Sequence, residues 1–145
     1  KMKSDVTAYD AKAVSELFLV EAMSPNPLVE LIINIRQDPQ FGAALVLGSG
    51  GVLVELLADS ATLLLPTRPV EIIRALKDLR VGRLLEGFRG RPAVDIEKVA
   101  AEIYKLSVTY QDNIKTIAEI EINPLFVYQA EVSAIDVLIQ VPNRK

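Results

Sequence analysis

From Val29 to Gln37 the chain alternates, with Leu31, Ile33 and Ile35 on one side and Glu30, Ile32, Asn34 and Arg36 on the other. Successive side chains of a strand point to opposite faces, so this run predicts a strand with an apolar face. Such a face must be buried against a second layer. The pattern returns in Glu119-Ile120-Glu121-Ile122-Asn123-Pro124-Leu125, where Glu119, Glu121 and Asn123 share one face and Ile120 and Ile122 the other. Pro124 has no N–H for a ladder, so the strand is expected to end there. A further apolar run, Ala134-Ile135-Asp136-Val137-Leu138-Ile139, contains one acid, Asp136.

Helical spacing appears in two places. Ile72, Ile73, Leu76 and Leu79 form a stripe behind Thr67, read as the cap, with Pro69 in the first turn. Ile96, Val99, Ile103, Leu106 and Tyr110 form a longer one behind Asp95. A shorter helix is expected from Asp10 to about Glu16. Phe18–Met23 reads as a strand, and Ser24-Pro25-Asn26-Pro27 as the turn that pairs it antiparallel with Val29–Gln37. Arg36 to Gly42 closes another turn, followed by a strand at Ala43–Leu47, a glycine loop Gly48-Ser49-Gly50-Gly51, and strands at Val52–Leu57 and Ala61–Leu65. The expected class is α+β: a mostly antiparallel sheet with flanking helices.

The 145 residues suffice for one domain. A net charge of −3 argues against a nucleic-acid partner. The chain has no cysteine, which removes disulfides and thiolate zinc. It has no histidine either, which excludes Ser-His-Asp and Cys-His catalysis and imidazole-bound zinc. No apolar run reaches membrane-spanning length and no signal peptide is visible, so a cytoplasmic setting without a membrane partner is expected.

Glu119, Glu121 and Asn123, two carboxylates and an amide on one strand face, are oxygen donors of the kind that suits a hard cation such as Mg²⁺, and Asp136, an acid inside an apolar run, is costly if buried unless it is paired or bound to a metal. Acids that alternate on a strand equally describe its solvated face, and Asp136 equally suits an exposed edge or an arginine partner; spacing leaves these readings open. Seven of the sixteen basic residues fall between Arg68 and Arg91, a segment closed by Gly87-Phe88-Arg89-Gly90-Arg91-Pro92. Arginines on a glycine-flanked loop suit phosphate, or are simply solvated.

Several of these motifs carry a resemblance. Glu-Ile-Asn-Pro-Leu followed by an apolar strand with Asp resembles the magnesium hairpin of ATP-grasp enzymes, in the succinyl-CoA synthetase and ADP-forming acyl-CoA synthetase group. Val20-Glu21-Ala22-Met23-Ser24, Asp38-Pro-Gln-Phe-Gly, Gly50-Gly51-Val52 with Glu55, and the Gly-Phe-Arg-Gly-Arg-Pro loop are similar to that group in the same order. The resemblance implies an ATP-grasp C-terminal-like subdomain over residues 17–145, with residues 1–16 a remnant of the preceding subdomain. It implies that Asn123 and Asp136, with Glu121 beside them, hold Mg²⁺, that Glu21 and the backbone near Met23 and Ser24 face adenine, and that Glu30 takes the ribose. No catalytic residue is assigned.

The implied activity is that of the nucleotide-binding part of an ADP-forming acid–CoA ligase. It uses Mg²⁺ and ATP or ADP, and acts with CoA-binding and ligase domains or subunits that supply a phosphohistidine. A small carboxylic acid and CoA are substrates of the whole enzyme. Lys3-Ser4-Asp5-Val6 resembles the group's His-Lys-Ser-Asp-Val, but Met2 stands where histidine is common and Thr7-Ala8 replaces the glycines that follow. These departures suit an alternative, a regulatory ATP-grasp-like domain of a protein acetyltransferase. Another carboxylate–CoA ligase, such as a succinyl-CoA synthetase, is a third reading.

Overall fold

The computed structural model describes residues 1–12, 20–50 and 59–142. Helix α1 spans Met2–Tyr9. Strands β1 (Val29–Asp38), β2 (Gly42–Ser49) and β3 (Ser60–Leu64) follow, then helices α2 (Pro69–Asp78), α3 (Gly82–Leu85) and α4 (Ile96–Asp112), and finally strands β4 (Glu119–Val127), β5 (Val132–Ala134) and β6 (Val137–Gln140). The strands form one sheet of order β3-β2-β1-β4-β5, with β6 also on β4. All these pairings are antiparallel. The α+β expectation therefore holds. Among the described residues no helix is long and apolar enough to cross a membrane.

The alternation read in β1 is realised, since Leu31, Ile33 and Ile35 are fully buried. Against them pack Leu45 and Leu47 of β2, Ile120, Ile122, Leu125 and Val127 of β4, and one face each of α2 and α4. Both stripes face the core as expected: Ile72 and Leu76 from α2, and Val99, Ile103 and Tyr110 from α4, are buried. Two ties fix α4 along the sheet. At its start the Asp95 N–H donates to the Gln129 carbonyl over 2.7 Å. At its end the buried Tyr110 hydroxyl donates to the Ala118 carbonyl over 3.0 Å. Burial, reinforced by the negative charge of Glu119, pushes the Tyr110 phenol up.

The structure corrects four local expectations. Val20 to Pro27 is irregular rather than a strand, with Val20 and Met23 at least 90% exposed. No hairpin with β1 is available to it, because β2 and β4 already occupy both edges of β1; Phe18 and Leu19 lie outside the described residues, as do Gly51 and the run Val52–Leu57. Asp10 ends a helix rather than starting one. Its carboxylate accepts from the Lys12 N–H, a turn that competes with helix continuation; residues 13–16 of the expected helix are not described. Thr67 precedes the N-cap of α2, which is Arg68. The Glu71 carboxylate accepts both from the Arg68 N–H and from the Thr67 hydroxyl, so an acid in the first turn satisfies the helix end. The fourth correction, at Pro124, belongs to the site.

Asp59 joins the end of β2 to the corner between α2 and α3. Its carboxylate accepts from the Ser49 hydroxyl at 2.8 Å, the Arg80 N–H at 3.0 Å and the Val81 N–H at 3.2 Å. Burial works to raise its pKa, but these donors and the Arg80 charge outweigh it and hold the carboxyl below its ordinary value. A group depressed in the folded state adds stability above its unfolded pKa and loses it as pH falls through the folded one. Asp59→Ala is therefore expected to lower stability by about 1–3 kcal/mol at neutral pH. The gap between wild type and variant, measured by urea denaturation, should shrink as the pH is lowered below about 4.

Candidate functional site

The helices cover one face of the sheet. The opposite face bears Ile32, Asn34 and Arg36 from β1 and Glu119, Glu121 and Asn123 from β4, as strand alternation requires. Here the expectation that β4 stops at Pro124 is overturned. The strand runs on to Val127 and pairing resumes beyond the proline. Lacking an N–H, Pro124 is accommodated by a bulge: the register steps from Ile33 opposite Ile122 to Leu31 opposite Leu125. The Asn123–Pro124 peptide is cis. The bulge moves the inward set from Ile120 and Ile122 to Leu125 and Val127, so the core continues on both sides of it.

The strand paired along the other edge of β4 breaks at the same level. The expected single run Ala134–Ile139 is split into β5, opposite Leu125–Val127, and β6, opposite Glu119–Ile122. Ile135 and Asp136 lie in the bend between them. The Ile135 N–H donates to the Pro124 carbonyl and the Asn123 N–H to the Asp136 carbonyl, each over 3.1 Å. Asn123 and Asp136 therefore meet directly across the hairpin. Both are exposed, so of the readings that spacing left open for Asp136 the structure takes the exposed one. Glu121, two residues before Asn123 on the same face, is half-buried. Among the described residues no three acidic side chains converge as a metal cage.

Asn34 directly opposes Glu121. Its Nδ2 donates to Glu119 Oε1 over 2.6 Å and, more loosely, to Glu121 Oε2 over 3.4 Å. Its Oδ1 is buried without a hydrogen-bond partner.

A cleft of about 660 Å³ lies at the start of β1, lined by Leu28, Glu30, Gly50, Arg83, Phe88 and Arg91 among others. The basic loop builds one wall. Gly87 and Gly90 take φ of 91° and 82°, values open to glycine, and Arg89 takes φ 50° between them. The Arg89 guanidinium stacks 5.3 Å from the centre of the Phe88 ring. Arg91 Nη1 donates to the Leu28 carbonyl over 3.2 Å, which ties the loop to the entry of β1. Of the residues expected to face the nucleotide, Glu30 lines this cleft; Glu21, Met23 and Ser24 lie in the exposed segment before β1 and do not. Arg80 and Arg83 also line it. They lie outside the glycine-flanked motif, so the only signal for them in the sequence was the local density of basic residues.

A sheet covered on one side by helices, with oxygen donors on its other side, is the arrangement expected of an ATP-grasp domain. The chain belongs to that family: the model of the ATP-grasp domain matches residues 1–141. Among curated relatives, the acetate–CoA ligase [ADP-forming] II subunit beta of Pyrococcus furiosus is 34% identical over 104 residues, which are 72% of this chain and 44% of that protein. A trans-feruloyl-CoA synthase from an unknown prokaryotic organism is 31% identical over 143 residues, 97% of this chain and 20% of that one. The chain thus spans less than half the length of these relatives. Among solved structures, the dinucleotide-forming acetyl-coenzyme A synthetase 1 of Ca. Korarchaeum cryptofilum, in complex with coenzyme A, Ca-AMPCP and HgCl⁺, superposes with a TM-score of 0.84 at 32% identity, covering 97% of this chain and 61% of that one. Another structure of that synthetase, with coenzyme A and Mg-AMPPCP, has its phosphohistidine segment pointing towards the nucleotide binding site; it superposes with a TM-score of 0.75 at 33% identity, covering 83% of this chain and 55% of that one.

Gly50 ties the glycine loop to the site. Its N–H donates to the Glu30 carbonyl over 2.8 Å. A Cβ placed there would lie 2.8 Å from the Leu31 carbonyl and 2.9 Å from the Glu30 carbonyl carbon, both backbone atoms. Gly50→Ala should therefore displace the start of β1 and cost about 1–3 kcal/mol, as overpacking does. Denaturant titration, with crystallography to locate Glu30, measures both effects.

Proposed function

We propose that this chain is the nucleotide-binding part of a longer ADP-forming acid–CoA ligase. The observation that carries the reading is the Asn123–Asp136 juxtaposition, where a bulge and a matching bend set an amide and a carboxylate opposite one another beside Glu121. All three offer oxygen, the donor type that Mg²⁺ takes, and two or three such ligands suffice when water and nucleotide phosphates complete the octahedron. The residues present thus fit the ion. Asn123, Asp136 and Glu121 would hold it, and when bound it would neutralise charge on the phosphates during phosphoryl transfer.

The rest of the work falls to the chain's own groups. Glu30, at the cleft, accepts hydrogen bonds from a ribose; the backbone near Met23 and Ser24, with Glu21, faces the base. Arg83 and Arg91, which line the same cleft, meet anionic oxygens. The helix-backed sheet keeps β1 and β4 from shifting, so Glu30, Glu121 and Asn123 are placed before the ligand arrives. Residues 17–145 form the C-terminal-like half of the nucleotide domain, and residues 1–16 belong to the preceding part.

The reaction of the full protein is acyl-CoA + ADP + phosphate ⇌ carboxylic acid + CoA + ATP, passing through a phosphohistidine. This chain contains no histidine, so the phosphate carrier sits in another domain or subunit together with the CoA site. The 31–34% identity to CoA ligases and synthases supports this reading.

Two outcomes test it. The 145-residue chain alone should form no acyl-CoA from acid, CoA and ATP, and activity should return only with partner domains that supply a histidine; turnover by the chain alone refutes the scheme. In the complete enzyme Asp136→Asn, which keeps the shape and removes one charge, should raise the Mg²⁺ concentration needed for half-maximal rate by about tenfold or more while leaving the melting temperature unchanged. Superimposable Mg²⁺ titrations of the two proteins refute the metal assignment.

A further inference from the structure

Among the described residues, Asn34 Oδ1 is the one buried side-chain polar atom without a hydrogen-bond partner. Asn34 sits mid-strand in β1, opposite Glu121, between two acids that lie two residues apart on the same face of β4. Carboxylates only accept hydrogen bonds, and an amide both donates and accepts. With Nδ2 toward Glu119 and Glu121, the donors meet acceptors. The flipped amide would set oxygen against oxygen. This orientation turns Oδ1 into a buried position with no donor. An orphaned buried acceptor carries an uncompensated desolvation cost, which packing or solubility would not select at a half-buried strand position. Leucine or valine would complete the strand without that cost. Sites that break a local rule in this way are where function is found.

The function that the contacts describe is orientation. The bond to Glu119 is short and charge-assisted, while the one to Glu121 is long enough to leave most of that carboxylate's acceptor capacity free. We propose that Asn34 is a positioning residue of the divalent-cation site. Its amide anchors Glu119, keeps the two glutamates from swinging away from one another, and thereby presents the free oxygens of Glu121 on the same face as Asn123 and Asp136. Asn34 binds no ion itself and acts through Glu121. The inference rests on the magnesium reading of Asn123 and Asp136 and extends it to a second strand, which links the cation site to β1 and so to Glu30.

The test uses the 145-residue chain with ADP present throughout and magnesium chloride titrated into wild type, Asn34→Leu and Asp136→Asn, with calorimetry corrected for the protein-free ADP titration for affinity and thermal melting without Mg²⁺ for stability. Asn34→Leu is expected to bind Mg²⁺ about tenfold or more weakly, the usual effect of removing a group that orients a ligand. Its melting temperature should change little, because the orphaned acceptor is lost together with the bond to Glu119. A role in packing alone would give the reverse, with lower stability and unchanged affinity, and that result overturns the proposal.

Should Asn34→Leu fail to fold, the wild-type side-chain amide decides. Its proton–nitrogen NMR signals should shift on addition of Mg²⁺, and signals that stay fixed at saturation overturn the role of Asn34. Asp136→Asn keeps the two ideas apart. Weakened binding there with unchanged binding in Asn34→Leu refutes Asn34 only. Unchanged binding in Asp136→Asn with weakened binding in Asn34→Leu supports Asn34 and refutes Asp136 as a ligand. Absence of any Mg²⁺ binding by wild type overturns both.

Discussion

The structure depends on β1 being paired along both edges and sealed on one face. Leu31, Ile33 and Ile35 have no exposed surface, and the same strand hydrogen-bonds to β2 on one side and to β4 on the other. A strand so placed cannot slip by one residue, because a slip would turn all three apolar side chains toward the open face and bring Asn34 and Arg36 into the core. Fixing β1 fixes the depth of β4 and, through Tyr110 and Asp95, the position of α4 along the sheet. The open face inherits this rigidity without having a core of its own.

On that rigid frame one irregularity does the functional placing. A regular β4 would carry its alternation unbroken past Asn123. Pro124 prevents this, and the ladder on each side of β4 responds in its own way, with a bulge toward β1 and a bend between β5 and β6. The bend frees Asp136 from a regular strand while its carbonyl stays bonded to the Asn123 N–H. Bulges next to functional sites commonly re-aim side chains in this manner. The backbone contact places the pair, so the side chains remain free to turn toward a ligand.

Charge on the open face follows from the same arrangement. Glu119 and Glu121 are adjacent on one face with Asp136 near the end of the hairpin, and the donor lying between the two glutamates is the neutral amide of Asn34. An arginine at that position would form a strong ion pair and occupy both carboxylates. An amide orders them and leaves negative potential at the surface, the condition under which a cation carrying a polyphosphate is attracted. Of the basic residues, Arg36 shares this face, directly opposite Glu119, whereas Arg83 and Arg91 line the cleft at the start of β1 together with Glu30.

The sequence by itself determined the elements whose periodicity is dictated by a single buried face: β1, the inward residues of β4, the stripes of α2 and α4, and the Asp95 cap. It also determined which chemistry is absent, since without histidine or cysteine only oxygen and cationic groups remain. Burial of an apolar face is a local pattern, so it can be read locally. Tertiary structure decided what depends on competition between segments. Val20–Met23 looks like a strand by composition, but both edges of β1 were already taken. Pro124 looks like a strand end, but the strands on both sides of β4 adjusted to let it continue. Asn34 looked like one more polar residue on a wet face. Only the register of β1 against β4 set its amide between two carboxylates, because a contact across 85 positions of chain is fixed by pairing and leaves no trace in the spacing of its neighbours.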